Sequence, residues 1–565
     1  MKKLNRVIVA GILSIILFSC KSKIPSELKL IPKTASSVAV IDPGEMKLKL
    51  DKANISIDSI FNKLLNADSL NRDNKEIKNR FNDFRNNSGI DWSEKIYFFV
   101  NEKTYANNTE GTSFNIIVHL NDSSKLIKYL TKQDELKGRD IIKNSNYSFI
   151  SLDYKALISW TNQSAMVSIF NFTDKPRIDS LLHIDQIEGI NKTEEIKKEV
   201  NRYYSLKEDE SIASITPFTD AFTKKTDAYF FHSTSAISQL LNYAPIQLPK
   251  LTELLQDNYA ISTFNFDEGK IVTTSALYTN KTISAILKKY PGASADISMI
   301  ENYPSANIDA AFVASFNPQV IDALIKELEI EPLSDAFLQK MDLKTTDLYK
   351  CFKGDIALVI SDFTWNKQKD SSLFKTIPSV KYIFNASVGD TAVLHKLLNK
   401  AAETGFIVKQ KNNEYKSAQL LQTLGVFLSV NNHNLILSTD SALYQQYMAK
   451  TTKAAINSEV LNQFKNKTHA TYIDLEKIFS SIESNNDTAN NSSSQMLKKT
   501  FKDIISTGEH FDGTKIQSNG MIRLTNEKEN SLVTLLKLFM HIAPAIKKSA
   551  SMDEMKSLPF IKNII

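Results

Sequence analysis

The residue types that most often do chemistry in enzymes are scattered through this 565-residue chain and form no familiar motif. The eight histidines occur singly. None has a second histidine three or four residues away, so no helix would present a ready pair of metal ligands. The sequence also lacks the nucleophile-elbow, zinc-protease, dithiol and glycine-rich phosphate-binding motifs. We therefore expect no metal, no cofactor and a protein that is not an enzyme.

Several aspartates follow apolar segments, at positions where strands are expected to end. They are Asp42, Asp122, Asp267, Asp390 and Asp512. Two carboxylates within several ångströms of each other could hydrolyse a glycan, and a cleft around Asp122, Asp390 or His395 would be the place to look. Capping of helices and turns accounts for all five aspartates without any reaction.

Cys351 precedes the apolar segment 356–360. We expect it to be a small buried hydrophobe, because a nucleophilic cysteine needs a base beside it. The three tryptophans, Trp92, Trp160 and Trp365, are expected to pack in the core or at its edge. A sugar-stacking platform is the alternative for these rings.

Cys20 closes a segment with the layout of a bacterial secretion signal. A basic start at residues 2–6 precedes an apolar run at 7–18, and the cysteine follows Leu17-Phe18-Ser19. The segment looks like a lipobox, which implies cleavage before Cys20, a thioether-linked lipid on its sulfur and further acylation. A spanning helix is the alternative, but it needs about 20 apolar residues and this run is shorter.

Removal of residues 1–19 would take away three basic residues and lower the formal charge from +6 to +3. That charge is too small and too evenly spread to indicate a nucleic-acid partner. If Cys20 carries lipid, Cys351 has no cysteine left with which to form an intramolecular disulfide. Because the lipid anchor would insert into a bilayer, the expected partner is a membrane.

Segments of the first half return in the same order about 270 residues later. The strand, turn and helix expected at 114–130 resemble those at 382–398, and both turns contain an aspartate. The hairpin expected at 264–277 resembles the hairpin expected at 511–524. Six such matches in the same order indicate a tandem duplication.

These patterns predict an α+β fold of two tandem repeats of mainly antiparallel sheet, with helices packed on one face. The expected organisation is a signal peptide at 1–19, a tether at 20–26, a first repeat at 27–290, a second repeat at 299–545 with a polar insert near 484–495, and a C-terminal tail at 546–565. The segment 192–204 is charged and helix-prone, and an apolar helix at 532–542 is expected to end at Pro544.

The polar insert contains Asp487-Thr488-Ala489. This triplet resembles the short O-glycosylation motif of the Bacteroidetes secretory pathway, which makes Thr488 a candidate acceptor. A plain polar loop is the alternative, because three residues are a short match.

The lipobox, the start Ile31-Pro32-Lys33-Thr34-Ala35, the strand at 38–41 and the duplicated plan together resemble the DUF4836 lipoproteins of Bacteroidetes. The resemblance covers most of the mature chain. The function of that family is unknown, so it implies no catalytic residues. Surface-exposed lipoproteins of these bacteria often carry acidic residues just after the cysteine. Lys21-Ser22-Lys23 departs from that pattern and favours the periplasmic side of the outer membrane.

The leading interpretation is an outer-membrane-anchored, periplasm-facing lipoprotein that acts as a non-enzymatic binding or scaffold protein, with an envelope protein as its partner. One alternative is a carrier or chaperone for a lipid or another apolar ligand, whose cavity the helix at 532–542 could line. Another alternative is an unrecognised hydrolase.

Overall fold

The computed structural model describes residues 24–56, 59, 73–105, 109–174, 190–234, 249–339, 342–367, 376–411, 414–423, 425–450, 456–483 and 491–549. The chain forms two compact units. The first comprises Met1–Glu45 and Asp83–His232, and the second comprises Met46–Asn82 and Ser233–Ile565. The units divide after His232, whereas the sequence predicts the boundary between the repeats at 290–299. The limits of the repeats stay a prediction.

The first unit is built on strands that pair only antiparallel among its described residues. They are β1 (Ser37–Ile41), β2 (Ile96–Thr104), β3 (Thr109–His119), β4 (Ile142–Lys143), β5 (Ser148–Ser151), β6 (Ala156–Trp160), β7 (Ser164–Asp174) and β8 (Ala228–Ser233). Their spatial order is β8-β1-β2-β3-β7-β6-β5-β4.

The second unit is built in the same way on a larger set of strands. They are β9 (Tyr259–Asp267), β10 (Lys270–Tyr278), β11 (Ile308–Ser315), β12 (Phe352–Lys367), β13 (Thr376–Val388), β14 (Ile407–Lys409), β15 (Tyr415–Ser417), β16 (Phe427–Val430), β17 (Asn434–Ser438), β18 (His469–Asp474), β19 (Phe501–Gly508) and β20 (Lys515–Leu524). Their spatial order is β9-β10-β20-β19-β18-β11-β12-β13-β17-β16-β15-β14, again with antiparallel pairs.

The described α-helices are mostly short. They are α1 (Pro43–Lys52), α2 (Asp73–Asn87), α3 (Ser123–Lys132), α4 (Lys192–Tyr204), α5 (Thr216–Ala221), α6 (Pro249–Leu255), α7 (Lys281–Lys289), α8 (Ser298–Glu301), α9 (Gln319–Glu327), α10 (Glu331–Leu338), α11 (Thr345–Leu348), α12 (Thr391–Glu403), α13 (Gln419–Thr423), α14 (Ser441–Ala449), α15 (Ser458–Phe464), α16 (Leu475–Glu483), α17 (Asn491–Thr500) and α18 (Ser531–Ser549). Together with the antiparallel sheet they make the α+β fold that the sequence predicts.

Helices lie on both faces of the first unit's sheet, so the predicted packing on one face is wrong. Helix α4 packs against the face that carries Phe99, because the rings of Tyr203 and Phe99 are 5.2 Å apart. Helix α3 packs Leu126 against Trp160 and Ala165, on the opposite face. Both layers are needed because all five residues of β6 are buried, and a single layer of helices covers one face only.

The core of the second unit forms where one face of β11, β12 and β18 meets the flanking helices. Side chains that alternate along β11, such as Ala311 and Val313, are fully buried there. Phe464 of α15 and Tyr447 of α14 pack onto them. The alternation of buried and partly exposed residues along β11 is the pattern of a strand with one core-facing side.

Helix α18 runs past the residue at which the sequence predicts its end. It spans Ser531–Ser549 and so continues through Pro544. Proline has a fixed φ that is compatible with a helix, and its cost is a lost backbone hydrogen bond. The predicted stop at Pro544 is therefore wrong, whereas the predicted helix at 192–204 is confirmed by α4.

Candidate binding surface

Four of the five aspartates singled out in the sequence accept hydrogen bonds from backbone amides at helix starts or in turns. Asp122 Oδ1 accepts from the amides of Ser124 and Lys125, at 2.9 and 3.3 Å, and caps α3. Asp390 Oδ1 caps α12 in the same way. These bonds satisfy amide groups at a helix start that have no partner within the helix.

The other three aspartates are also used locally. Asp512 Oδ1 accepts from the backbone amide of Lys515 at 2.9 Å, in the turn before β20. Asp267 is paired with Lys270 where the β9–β10 hairpin closes. Asp42 accepts from the amide of Glu45 and forms a 2.7 Å ion pair with Lys95.

His395 is not brought to a carboxylate. Its Nε2 lies 3.4 Å from Asn432 Oδ1, and its ring stacks on Tyr415 at 5.6 Å. Within the described ranges, no three His, Cys, Asp or Glu side chains are placed to hold a metal ion.

Cys351 is buried, with 2% of its surface exposed. Its Sγ donates to the carbonyl of Asp347 at 3.6 Å. Burial, reinforced by the nearby carboxylates of Asp390 and Asp347, raises the pKa of the thiol to about 11. At neutral pH the residue is therefore a neutral thiol, and thiolate chemistry is not available to it.

The tryptophans with described side chains serve packing. Trp160 is buried beneath α3. Trp92 packs edge-on against Phe84 at 5.5 Å and donates its indole N–H to the carbonyl of Arg85. The side chain of Trp365 lies outside the described residues, as do Cys20 and Thr488.

One charged group lies in the core of the first unit, and the sequence analysis did not single it out. The carboxylate of Glu199 on α4 accepts from Asn101 at 3.1 Å, from Lys103 at 2.9 Å and from Arg202 at 2.5 and 3.0 Å. Burial alone would raise the pKa of Glu199, but the hydrogen bonds from Arg202 and Lys103 outweigh it and lower the pKa. The carboxylate therefore stays ionised and ties α4 to β2.

The second unit has a polar cleft beside the β9–β10 hairpin, with a volume of about 970 Å³. Its lining contains four lysines and four carboxylates, together with Phe266, Ala53 and two asparagines. Lys502 pairs with Glu527 at 2.9 Å, and Lys537 pairs with Glu529. With cations and carboxylates in equal number, the cleft offers no net charge that would select an ionic ligand.

The first unit also presents apolar side chains that remain partly in solvent. These side chains form what we call the apolar strip: Ala39, Phe98, Val100, Phe114, Ile116 and Phe230. Phe114 is 49% exposed and Phe230 is 39% exposed, while the other four are partly exposed.

Strand register brings the members of the apolar strip together on one face. Ala39 of β1 lies opposite Phe98 of β2 and opposite Phe230 of β8. Phe98 in turn lies opposite Ile116 of β3, and the next pair on the same face joins Val100 to Phe114. Directly opposed residues share a face with Cβ atoms about 5 Å apart, so the strip is continuous across four strands.

The sequence contained a signal for this surface. The run Ile96-Tyr97-Phe98-Phe99-Val100 is apolar at every position, whereas a strand with one solvated face alternates. In the structure Tyr97 and Phe99 face the core, and Phe98 and Val100 belong to the strip. Over this run, strand β2 is therefore buried on one of its two faces and apolar on both.

No helix among the residues that the structure describes combines the length and the apolar character needed to cross a bilayer.

Comparison with known proteins gives little about function. No curated protein matches the chain. Among solved structures, crystal forms III, IV and I of TP0453 are similar to 46%, 46% and 48% of this chain and to 85%, 84% and 86% of theirs. Their sequence identities are 10%, 10% and 9%, and their TM-scores are 0.23, 0.24 and 0.19, so no inference rests on them. The family model described as "Domain of unknown function (DUF4836)" matches residues 28–532. The chain therefore belongs to the DUF4836 family.

Proposed function

We propose that this protein is a non-enzymatic binding or scaffold protein of the cell envelope and that it binds a protein partner through the apolar strip. The observation that carries the proposal is the exposure of Phe114 and Phe230 on a face that is apolar across four strands. Contiguous apolar surface of this kind costs solvation free energy unless a partner covers it, and in soluble proteins it marks interaction sites.

The placement of the polar side chains supports a binding role over a reaction. Asp122 and Asp390 are used as helix caps, and Cys351 is a buried neutral thiol. Glu199 is saturated by three donor side chains inside the core. Of the three residues that sequence reasoning offered to a hydrolase, Asp122 and Asp390 cap helices and the His395 ring stacks on Tyr415.

The location that we propose follows from the N-terminus of the sequence. Cys20 would carry the lipid anchor, and Lys21-Ser22-Lys23 favours the periplasmic leaflet of the outer membrane. An anchored protein in that compartment would meet other envelope proteins at high local concentration. Even a moderately apolar surface would then be sufficient for a stable contact.

We also propose that the chain arose by tandem duplication. The order β8-β1-β2-β3-β7-β6-β5-β4 has the same connectivity as β18-β11-β12-β13-β17-β16-β15-β14. In both sets an aspartate-capped helix follows the third strand, α3 after β3 and α12 after β13. These matching features support the duplication that the sequence pattern indicates.

The binding proposal can be tested with a photoreactive phenylalanine analogue at position 114 of the lipid-anchored protein in its native membrane. A matched control carries the analogue at Tyr154, which is 63% exposed and lies outside the strip in the same unit. We expect irradiation to capture a discrete protein from position 114, and the same protein from position 230, but not from position 154.

Two outcomes would overturn the proposal. If equal capture occurs from positions 114 and 154, the strip has no special role. If organic extraction shows lipid adducts at positions 114 and 230 without a protein, the carrier alternative replaces the scaffold. Recovery of the folded protein is checked for each variant by its thermal transition.

A further inference from the structure

The second unit carries a different exposed apolar cluster at the end of its strand order. Strand β14 pairs with β15 alone among the described strands and is therefore an edge strand. Phe406 is 55% exposed, Val408 is 47% exposed, and Leu420 on α13 is 64% exposed. An edge strand that exposes large apolar side chains is a hazard that proteins normally avoid, so this cluster needs an explanation.

Phe406 and Val408 share one side of the strand, and Leu420 follows a segment that is hydrogen-bonded to it. Ile407 of β14 is buried, so its neighbours Phe406 and Val408 point to the opposite side of the strand. The amide of Ala418 donates to the carbonyl of Phe406 at 2.9 Å. Leu420 follows Ala418 by two residues, so it comes shortly after this hydrogen bond. We call these three residues the edge cluster.

Two exposed lysines lie beside the edge cluster. Lys416 lies directly opposite Val408 in the β14–β15 register and shares its side of the strand, and Lys411 follows three residues after Val408. Lys409 points to the other side of the strand, where it bonds to Asn399 at 3.2 Å and lies over the Tyr415 ring. Lys396 pairs with Asp342 and Lys400 pairs with Glu403, so Lys411 and Lys416 are the basic groups of this segment that can serve the edge cluster.

The edge cluster follows a turn that is open to solvent on one side. Gly405 precedes Phe406 in the left-handed conformation, with φ +79°, and a Cβ atom built there would meet nothing within 4 Å. The turn is therefore surrounded by open space on that side. An exposed apolar edge with basic neighbours can enter a lipid interface without a matching cavity in a partner.

We infer that the edge cluster and its lysines form a membrane-contact site that binds the surface of a bilayer containing anionic glycerophospholipid. Phe406, Val408 and Leu420 insert at the level of the headgroups, and Lys411 and Lys416 contact lipid phosphates. Charge complementarity favours this partner, because an apolar protein surface would not require a basic rim. The inference is independent of the apolar strip, which lies in the other unit.

The inference also fits the chemistry of lipid anchoring. The expected lipid and further acylation of Cys20 would hold the chain at the bilayer. A basic, apolar edge would then restrain the orientation of the second unit on that bilayer.

The test uses the mature full-length chain with Cys20→Ser, so that no acyl chain contributes, and phosphatidylcholine vesicles prepared with or without phosphatidylglycerol. Flotation measures the bound fraction. We expect the protein to float with the anionic vesicles, and we expect added salt to weaken this binding.

Two pairs of substitutions separate the apolar and the electrostatic contributions. Phe406→Ser with Val408→Ser should weaken vesicle binding by roughly tenfold or more, because the exposed halves of two side chains lose their burial. Lys411→Gln with Lys416→Gln should lower the affinity for anionic vesicles by about fivefold for each lysine and abolish the dependence on anionic lipid. Leu333→Ser is the matched control, since Leu333 is 60% exposed in the same unit but outside the edge cluster.

The outcomes either support or overturn the inference. Loss of binding in both double variants, with the control unchanged and all thermal transitions preserved, supports it. Failure of the parent chain to float with anionic vesicles overturns it, as does equal loss in the Leu333→Ser control. Equal flotation with pure phosphatidylcholine overturns the role assigned to the lysines.

Discussion

Phe114→Ser tests whether the apolar strip binds a partner, and the structure fixes the size of the effect. Phe114 is 49% exposed. A phenylalanine presents roughly 200 Å² of surface, so about 100 Å² remains to be covered. At about 25 cal/mol per Å², full coverage by a partner contributes about 2.5 kcal/mol. We therefore expect up to a roughly 70-fold loss of affinity.

The same substitution should have a smaller effect on folding. Phe114 lies opposite Val100 on one side and opposite Ile169 on the other. Cross-strand pairs of this kind contribute about 0.2–1 kcal/mol each, so the folded state should lose about 1 kcal/mol. A binding defect several times larger than the stability defect would show that the exposed half of the ring contacts the partner.

The assay is a competition that needs no prior identification of the partner. Soluble Cys20→Ser protein competes with the anchored photoreactive protein for the crosslinked species, and the concentration for half-competition is measured. With Phe114→Ser added to the competitor, that concentration should rise by up to about 70-fold. With Tyr154→Ser added, it should not change.

The reasoning would be refuted if the Phe114→Ser competitor performed as well as its parent. It would also be refuted if Tyr154→Ser caused a comparable loss, because a general effect on folding or solubility would then explain both variants.

Three further predictions concern stability and reactivity. Glu199→Gln should lower the free energy of unfolding by about 2 kcal/mol at neutral pH. Because the folded chain lowers the pKa of Glu199 below its ordinary value of 4.5, this contribution is present above that value and is lost as the pH falls through the lowered pKa, so urea titrations of parent and variant should converge only below pH 4.5. Gly354→Ala should lower the thermal transition by destabilising the fold by about 3 kcal/mol, since Gly354 has φ +108° and a Cβ there would lie 1.8 Å from the carbonyl oxygen of Phe316; an unchanged transition would contradict that geometry. Cys351 should react with a maleimide at neutral pH only after urea unfolds the chain, and rapid labelling of the folded protein would show that the thiol is neither buried nor neutral.

Local patterns in the sequence predicted most individual elements because neighbouring residues determine them. The charged segment 192–204 coincides with α4, and the hairpin predicted around Gly269 is β9–β10. Asp122 and Asp390 were recognisable as caps because an aspartate before an amphipathic segment satisfies the first amides of a helix.

The sequence could not give the features that depend on pairing between distant strands. Ala39, Phe98 and Phe230 become neighbours only when β1 takes its place between β2 and β8. Glu199 meets Lys103 across 96 residues of chain. The exposed state of Phe406 depends on β14 being the last strand of its set, and strand order is not encoded in local periodicity.

The proposed duplication also explains how β10 and β20 pair. β10 and β20 are the second strands of the two hairpins that the sequence pattern matches. In that match Lys270 corresponds to Lys515, so β10 and β20 would be equivalent strands of the two repeats. They pair antiparallel, with Lys270 opposite Arg523, Tyr278 opposite Lys515, and Thr274 opposite Asn519 at the centre. Antiparallel pairing of equivalent strands about a central pair is the arrangement that a two-fold axis produces in a homodimer. A single ancestral repeat would have exposed this strand as an open edge, and pairing with a second copy would have covered it. Fusion of two such copies into one chain makes that pairing intramolecular, so the edge is covered at any protein concentration.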